Sequence, residues 1–271
     1  VSAGDGKAVT LSHADGVATL SLSRPDALNA LDYAMMDALV ELTRALAEDD
    51  SVRVVVLRGE GRHFMAGGDI RTFAAELSRP AEERAGLLTR IVGRVHGAIE
   101  QLARMPHPLV ARVQGACAGF GLSLLAACDL AIASDDAYFA AGYRNIGLSP
   151  DGGGTWSLPR LVGPRRAAEI LLLGERFDAA RALEIGLVNR VVPAARLDAE
   201  VAAVVATLRA GPRDALRATR RLLRDSPANT LGTQLDAEAR SFGRLSALAD
   251  FTEGVDAFIA KRAPDFDRSR G

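Results

Sequence analysis

An α/β fold is predicted, on three observations. Short buried apolar runs alternate with stretches of helical periodicity as far as about Pro193. The strand-like runs end in glycine-rich turns. Beyond Pro193 only helical periodicity continues. The expected organisation is an α/β core over residues 1–195 and a helical region over residues 196–271.

Each element has its own signal. Val9–Ser12 and Val17–Leu22 flank Asp15-Gly16, a two-residue hairpin turn. From Leu31 apolar residues recur at Met35, Ala38, Leu39, Leu42 and Leu46, one face of a helix, with Asn29 as its expected cap. Val52–Leu57 reads as a buried strand that ends at Gly59 and Gly61. A helix is expected over about Ala81–Leu102 and a short buried strand over Leu109–Val113. Gly115, Gly119 and Gly121 then turn the chain into a helix over Leu122–Ala127, and Leu130–Ala133 is the next strand. The tail reads as four helices, Leu197–Leu208, Arg213–Leu223, Leu231–Phe242 and Phe251–Lys261, broken by Gly211-Pro212 and Ser226-Pro227. Their apolar faces need burial, so packing on another subunit is expected. Val1–Lys7 reads as a loose tail.

The 271 residues are 48% hydrophobic and 25% charged with a formal net charge of -1, which argues against general nucleic-acid binding. The longest charge-free stretch, between Arg112 and Asp129, contains Gln114 and three glycines and falls short of the roughly 20 apolar residues of a spanning helix. No basic-then-apolar leader opens the chain, so a cytoplasmic protein with no membrane partner is expected. Cys117 and Cys128 lie in apolar surroundings and read as buried thiols. His13, His63, His96 and His107 are scattered without metal-ligand spacing, and no metal is expected.

Two glycine turns bear on chemistry. Ala66-Gly67-Gly68-Asp69-Ile70 follows one strand, and Gly119-Phe120-Gly121 follows another and opens a helix. Glycines let backbone N–H groups approach a ligand closely, and a helix start leaves such groups unpaired. Two of them aimed at one oxygen make an oxyanion hole, each donor worth about 3 to 4 kcal/mol in the transition state. Either turn alone is also an ordinary strand-to-helix connection. The second turn lacks the third glycine of a dinucleotide fingerprint, Leu124 standing there. Neither a Gly-Lys-Ser/Thr phosphate loop nor a Gly-x-Ser-x-Gly elbow is present, which argues against the usual serine hydrolase.

Six motifs belong together: Arg24-Pro25-Asp26-Ala27-Leu28-Asn29-Ala30-Leu31, Arg53-Val54-Val55-Val56-Leu57-Arg58-Gly59, Ala66-Gly67-Gly68-Asp69, Gln114-Gly115, Ala127 to Ala133, and Gly152-Gly153-Gly154-Thr155. Read jointly, they resemble the crotonase (enoyl-CoA hydratase/isomerase) superfamily and stand in family order from about Val9 to Phe266. The resemblance implies a crotonase-like spiral of repeated β-β-α units with a carboxy-terminal helical trimerisation region, and homotrimers that often pair into hexamers. It implies an acyl-CoA substrate, coenzyme A being part of the substrate and no separate cofactor being needed. It assigns the oxyanion hole to the N–H groups of Gly68 and Phe120. Ala27-Leu28 and Ala66, Gly67, Gly68, Asp69 and Ile70 would line the adenine end of coenzyme A, with Gly119 in the facing turn. Phe258 and Lys261 resemble contacts to coenzyme A from a neighbouring subunit; an exposed terminal lysine is the plainer reading of Lys261.

The family's hydratases place two glutamates around a water. Here Ser123 and Tyr143 stand in those positions, and neither ionises unaided near neutral pH. Ser123 and Tyr143 are read as shaping the acyl pocket. Asp151, in Gly147-Leu148-Ser149-Pro150-Asp151-Gly152-Gly153-Gly154, is the remaining carboxylate, and the Pro-Asp-Gly-Gly-Gly-Thr-Trp loop resembles the ring-1,2-epoxyphenylacetyl-CoA isomerase type. One base suffices for a double-bond shift, taking a proton from one carbon and returning it to another while the oxyanion hole holds the dienolate. Asp151 is the expected base; a loop aspartate capping the turn is the alternative. The other functions kept open are an enoyl-CoA hydratase, a thioester hydrolase or decarboxylase, and a CoA- or RNA-binding relative without catalysis. Phe64, Phe73, Phe139 and Trp156 read as core or pocket wall, Asp69 as a structural turn residue, and His63 as a residue behind or beside the site. Arg213, Arg217, Arg220, Arg221 and Arg224 share one side of a helix and are read as a solvated face, with nucleic acid as the sharper alternative.

Overall fold

Residues 7–267 are described by a computed structural model, and most of the Val1–Lys7 segment lies outside them. In chain order the strands are β1 (Val9–Ala14), β2 (Val17–Leu22), β3 (Val54–Gly59), β4 (Leu109–Val113), β5 (Ala116–Ala118), β6 (Leu130–Ser134), β7 (Tyr138–Ala140), β8 (Phe177–Asp178) and β9 (Arg190–Val192). The helices are α1 (Tyr33–Glu48), α2 (Ile70–Ala75), α3 (Ala81–Arg104), α4 (Phe120–Ala126), α5 (Gly154–Val162), α6 (Pro164–Ala168), α7 (Ala179–Glu184), α8 (Leu197–Ala210), α9 (Arg213–Asp225), α10 (Leu231–Ser246) and α11 (Ala249–Ile259).

A six-stranded sheet runs in the order β1-β2-β3-β4-β6-β9. The β1–β2 hairpin is antiparallel, as its Asp15-Gly16 turn predicts, and every later pair is parallel. A parallel sheet covered on both faces needs strands that are apolar throughout, and β3 supplies Val54-Val55-Val56-Leu57, all buried. Alternate side chains go opposite ways. Val55 and Leu57 join a core with Met35, Leu39 and Leu46 of α1 and Val95, Ala98 and Leu102 of α3. Val54 and Val56, with Val110 and Ile132, meet Leu197, Val201 and Val205 of α8.

After each central strand the chain turns into a short extended return. Leu31 bridges Gly68, Met65 bridges Cys117, and β5 pairs with β7, so the returns lie side by side as a second layer. A strand, a return and a helix therefore recur, which is the expected spiral of β-β-α units. β5, β7, β8 and β9 give no strand signal in the sequence because they span only two or three residues, too few for a period to show.

Several expectations need correction. Asp32, not Asn29, caps α1, its carboxylate accepting the Met35 N–H at 2.8 Å. Asn29 instead sits buried at φ 54, accepts from Arg24 N and donates to the carbonyls of Glu60 and His63, tying the first turn to the second. The third strand begins at Val54 rather than Val52, and α4 begins at Phe120 rather than Leu122. The last helix ends at Ile259, leaving Lys261 beyond it at φ 52. Cys117 and Cys128 are both buried, as expected. No helix among the described residues is long and apolar enough to cross a membrane.

The largest correction concerns the arginines of α9. Arg220 is buried: its guanidinium donates to Asp129 at 2.6 Å and to the carbonyls of Leu102, Ala103 and Met105, where α3 ends. Arg224 reaches the same carboxylate at 2.9 Å and the Ala127 carbonyl at 2.6 Å, while Arg213 and Arg217 hold Asp50. Carbonyls at a helix end lack intrahelical donors, and the arginines supply them. Only Arg221 of the stripe is exposed. The stripe is the face by which the helical tail is fastened to the α/β core. Arg220→Ala takes the donor from three carbonyls and leaves Asp129 with Arg224 as its remaining guanidinium partner, and urea unfolding is expected to show a loss of about 3 kcal/mol; an unchanged midpoint would mean the fastening lies elsewhere.

Candidate active site

The two glycine turns meet in the second layer. Gly67 has φ +94, and a side-chain carbon placed there would lie 3.2 Å from the Ala118 carbonyl oxygen and 3.4 Å from Gly119 Cα. One placed at Gly119 (φ +52, ψ -123) would lie 3.2 Å from Gly67 Cα, so the two backbones touch and neither turn has room for a side chain. Hydrogen bonds fix both turns from behind: Leu31 N to Gly67 O at 2.8 Å, Ala66 N to Leu28 O at 3.1 Å, and Gly119 N to Ala140 O at 3.0 Å. Asp69 caps α2 through the Arg71 N–H and pairs with Arg24 at 3.0 Å, the structural part read for it. The N–H groups of Gly68 and Phe120 donate to no acceptor among the described residues, and both residues line one cavity.

That cavity measures about 610 Å³. Leu88, Val92 and His96 of α3, Met36 of α1, Phe73 of α2, and Ile146 and Leu148 form mostly apolar walls. Asp151 is the only carboxylate among its lining residues. Tyr143 Oη donates to Asp151 Oδ1 at 2.6 Å. Burial pushes the Asp151 carboxyl above the usual carboxylate range, with the Tyr143 hydrogen bond opposing. Burial and the adjacent carboxylate push the Tyr143 phenol well above its ordinary value, so it is a donor here, not a base.

Of the residues singled out in the sequence, Ala66, Gly67, Gly68, Ile70, Gly119, Phe120, Tyr143 and Asp151 come together around the cavity. Others do not line it. Ser123 is buried behind the loop, its hydroxyl donating to the Asp151 main-chain carbonyl at 2.7 Å, so it shapes the loop rather than the pocket surface. Ala27 and Leu28 close a short turn at the outer side of the first glycine turn, with Leu28 exposed. Phe258 is 85% exposed and lines a separate apolar groove among the carboxy-terminal helices, and Lys261 is exposed; neither reaches the cavity of its own chain. Phe64 and Phe139 are core and Phe73 is pocket wall, but Trp156 is neither: it lies half exposed under the Arg160 guanidinium at 4.1 Å. His63 braces the second layer, its Nδ1 accepting the Ala116 N–H at 3.0 Å.

The residue missed from sequence is His96, whose Nε2 accepts the Gly152 N–H at 3.0 Å. A signal for it existed: Leu88, Val92 and His96 recur at four-residue spacing on the apolar stripe of α3. Among the described residues no group of three His, Cys, Asp or Glu side chains is placed to hold a metal ion.

Residues 12–269 match the Enoyl-CoA hydratase/isomerase family. The 1,2-epoxyphenylacetyl-CoA isomerase of Escherichia coli K12 is 36% identical over 94% of this chain and 97% of its own length. The trans-2-decenoyl-[acyl-carrier-protein] isomerase of Streptococcus mutans is 31% identical over 93% of this chain and 95% of its own. The crystal structure of an enoyl-CoA hydratase from Mycobacterium smegmatis superposes with a TM-score of 0.89 at 36% identity, covering 96% of this chain and 99% of that one.

The contact between the turns generates a stability prediction. Gly119→Ala introduces a side chain into a backbone conformation that is essentially glycine's own and against Gly67, and thermal unfolding is expected to show a loss of at least about 1 to 3 kcal/mol. An unshifted unfolding midpoint would mean the turns do not need to touch.

Proposed function

The chain belongs to the enoyl-CoA hydratase/isomerase family and has the crotonase-like α/β fold, and on that premise we propose that it shifts the double bond of an unsaturated acyl-CoA, aliphatic or derived from an aromatic acid, with Asp151 as the single base. The observation that carries the reading is that one carboxylate, pushed up by burial, shares an otherwise largely apolar cavity with two unused backbone N–H groups.

The chemistry needs little else. The thioester oxygen would accept from the Gly68 and Phe120 N–H groups, which gain strength as the oxygen takes on enolate charge. That stabilisation acidifies C2 of a 3-enoyl thioester, the carbon between the carbonyl and the double bond. Asp151 would remove a proton there, and the electron pair moves through the dienolate to the thioester oxygen. The same carboxyl then returns its proton to the other end of the dienolate, so nothing is added or lost. A raised pKa makes the carboxylate a stronger base, and Tyr143, by holding Oδ1, leaves Oδ2 for the proton. Hydration of a double bond asks for a second acid/base group on the attacking water. Ser123 is turned to a main-chain carbonyl and Tyr143 to Asp151, which argues against their taking that part.

We further propose that the chain works as a trimer or a pair of trimers, with Phe258 and Lys261 touching coenzyme A bound to a neighbouring subunit. Leu231, Phe242 and Phe258, exposed to 75%, 73% and 85%, support a face that another chain covers. Light scattering is expected to give the mass of three or six chains; a monomer would remove the basis for this arrangement.

Turnover of a 3-enoyl-CoA and of crotonyl-CoA in deuterated water, followed by NMR, tests the reaction itself. Isomerisation with little hydration is expected, deuterium entering the product only as far as the proton on Asp151 exchanges with solvent before its return, whereas rapid formation of the 3-hydroxyacyl thioester would replace this reading by hydration. Asp151→Asn is expected to lower kcat by about 100- to 10,000-fold with CoA binding retained. The base acts only when ionised. Activity is therefore absent below the raised pKa of Asp151 and appears as pH rises through it, which puts the acid limb of kcat/KM above the ordinary carboxylate value of about 4.

A further inference from the structure

The peptide unit that joins Asp151 to Gly152 is held at both of its polar ends. Its carbonyl accepts from the Ser123 hydroxyl at 2.7 Å, and its N–H donates to His96 Nε2 at 3.0 Å. A peptide is planar, with C=O and N–H pointing to opposite sides. Two side chains gripping it from opposite sides therefore set its rotation, and with it the direction in which the Asp151 side chain leaves the backbone. The two grips come from different walls. His96 belongs to α3, and Ser123 to α4, the helix whose first residue is Phe120. A side chain at Gly152 would strike Ser123 Cβ at 2.8 Å and the Phe120 ring at 2.9 Å, so this peptide is also seated directly on α4.

We infer that His96 and Ser123 are positioning residues for the reaction: they clamp the base's own peptide and thereby set its carboxylate relative to the Phe120 N–H. His96 does this as the neutral tautomer with its proton on Nδ1, because a backbone N–H only donates and Nε2 must offer a lone pair. Tyr143 completes the arrangement by fixing one carboxylate oxygen, so main chain and side chain of Asp151 are anchored independently. The inference rests on Asp151 being the base. A loop held merely for stability would show in unfolding and in substrate binding; a clamp on the base shows in kcat, since misplacement of a reacting group by about 1 Å costs on the order of 100-fold.

The test compares wild type, Asp151→Asn, Ser123→Ala, His96→Ala and His96→Gln in the same isomerisation assay, with thermal unfolding measured alongside. His96→Ala and Ser123→Ala are expected to lose roughly 10- to 100-fold in kcat with KM little changed. His96→Gln is expected to recover most of that loss, because its amide oxygen can take the Gly152 N–H, and it remains informative should the alanine variant fold poorly. In the 15N spectrum of the resting wild-type protein, Nε2 of His96 is expected to be of the unprotonated, pyridine type. Wild-type kcat in His96→Ala, equal defects in the Gln and Ala variants, or a protonated Nε2 would each overturn the clamp. Full turnover by Asp151→Asn would instead overturn the assignment of the base, and the nitrogen spectrum separates the two failures because it needs no substrate.

Discussion

The backbone contact between Gly67 and Gly119 is the constraint on which the rest of the site depends. The two turns belong to different units of the spiral, and only the absence of both side chains lets them touch. The second layer exists to hold them there: Leu31, Gly68, Met65 and Cys117 are bridged strand to strand, and Ala140 takes the N–H of Gly119. Once the turns meet, Gly68 and Phe120, whose N–H groups have no acceptor among the described residues, line a common cavity. The long parallel strands beneath serve as the rigid frame, with helices covering both faces.

Much of this frame was legible in the sequence. The hairpin, the strand Leu109–Val113 and the four tail helices follow from period and turn chemistry, because each is either long or marked by a strong turn signal. Asparagine suits a helix cap and a positive φ equally well, so residue type alone does not place Asn29; Asp32, three residues later, takes the cap. The short second-layer strands escaped notice because two or three residues carry no period. For the arginine stripe, spacing defines a face but not what that face meets, and here it meets helix ends and a carboxylate rather than solvent.

The site shows the same division. The glycine turns and Asp151 announce themselves by motif. The partnership of Tyr143 with Asp151 does not, since it depends on the path of the intervening turn, and the placing of Ser123 behind the loop depends on which way α4 faces. Lone-pair geometry singles out His96, an ordinary member of an apolar stripe until the Gly152 N–H is seen against it. Tertiary structure, in other words, adds relations between residues that the chain keeps well apart.

Helix α3 has a consequence for how such a protein diversifies. It presents Leu88 and Val92 to the cavity, while one turn further along His96 accepts the N–H of Gly152, next to Asp151. Substitutions at the first two positions can resize the cavity and leave the hold on the Asp151–Gly152 peptide untouched, so the shape of the cavity is free to drift there under selection. A change that displaces the helix along its axis is different: it moves His96 as well, so the cavity wall and the Asp151 loop shift together. One rigid element thus makes some evolutionary paths smooth and couples others, and the boundary between them falls within a single helical turn.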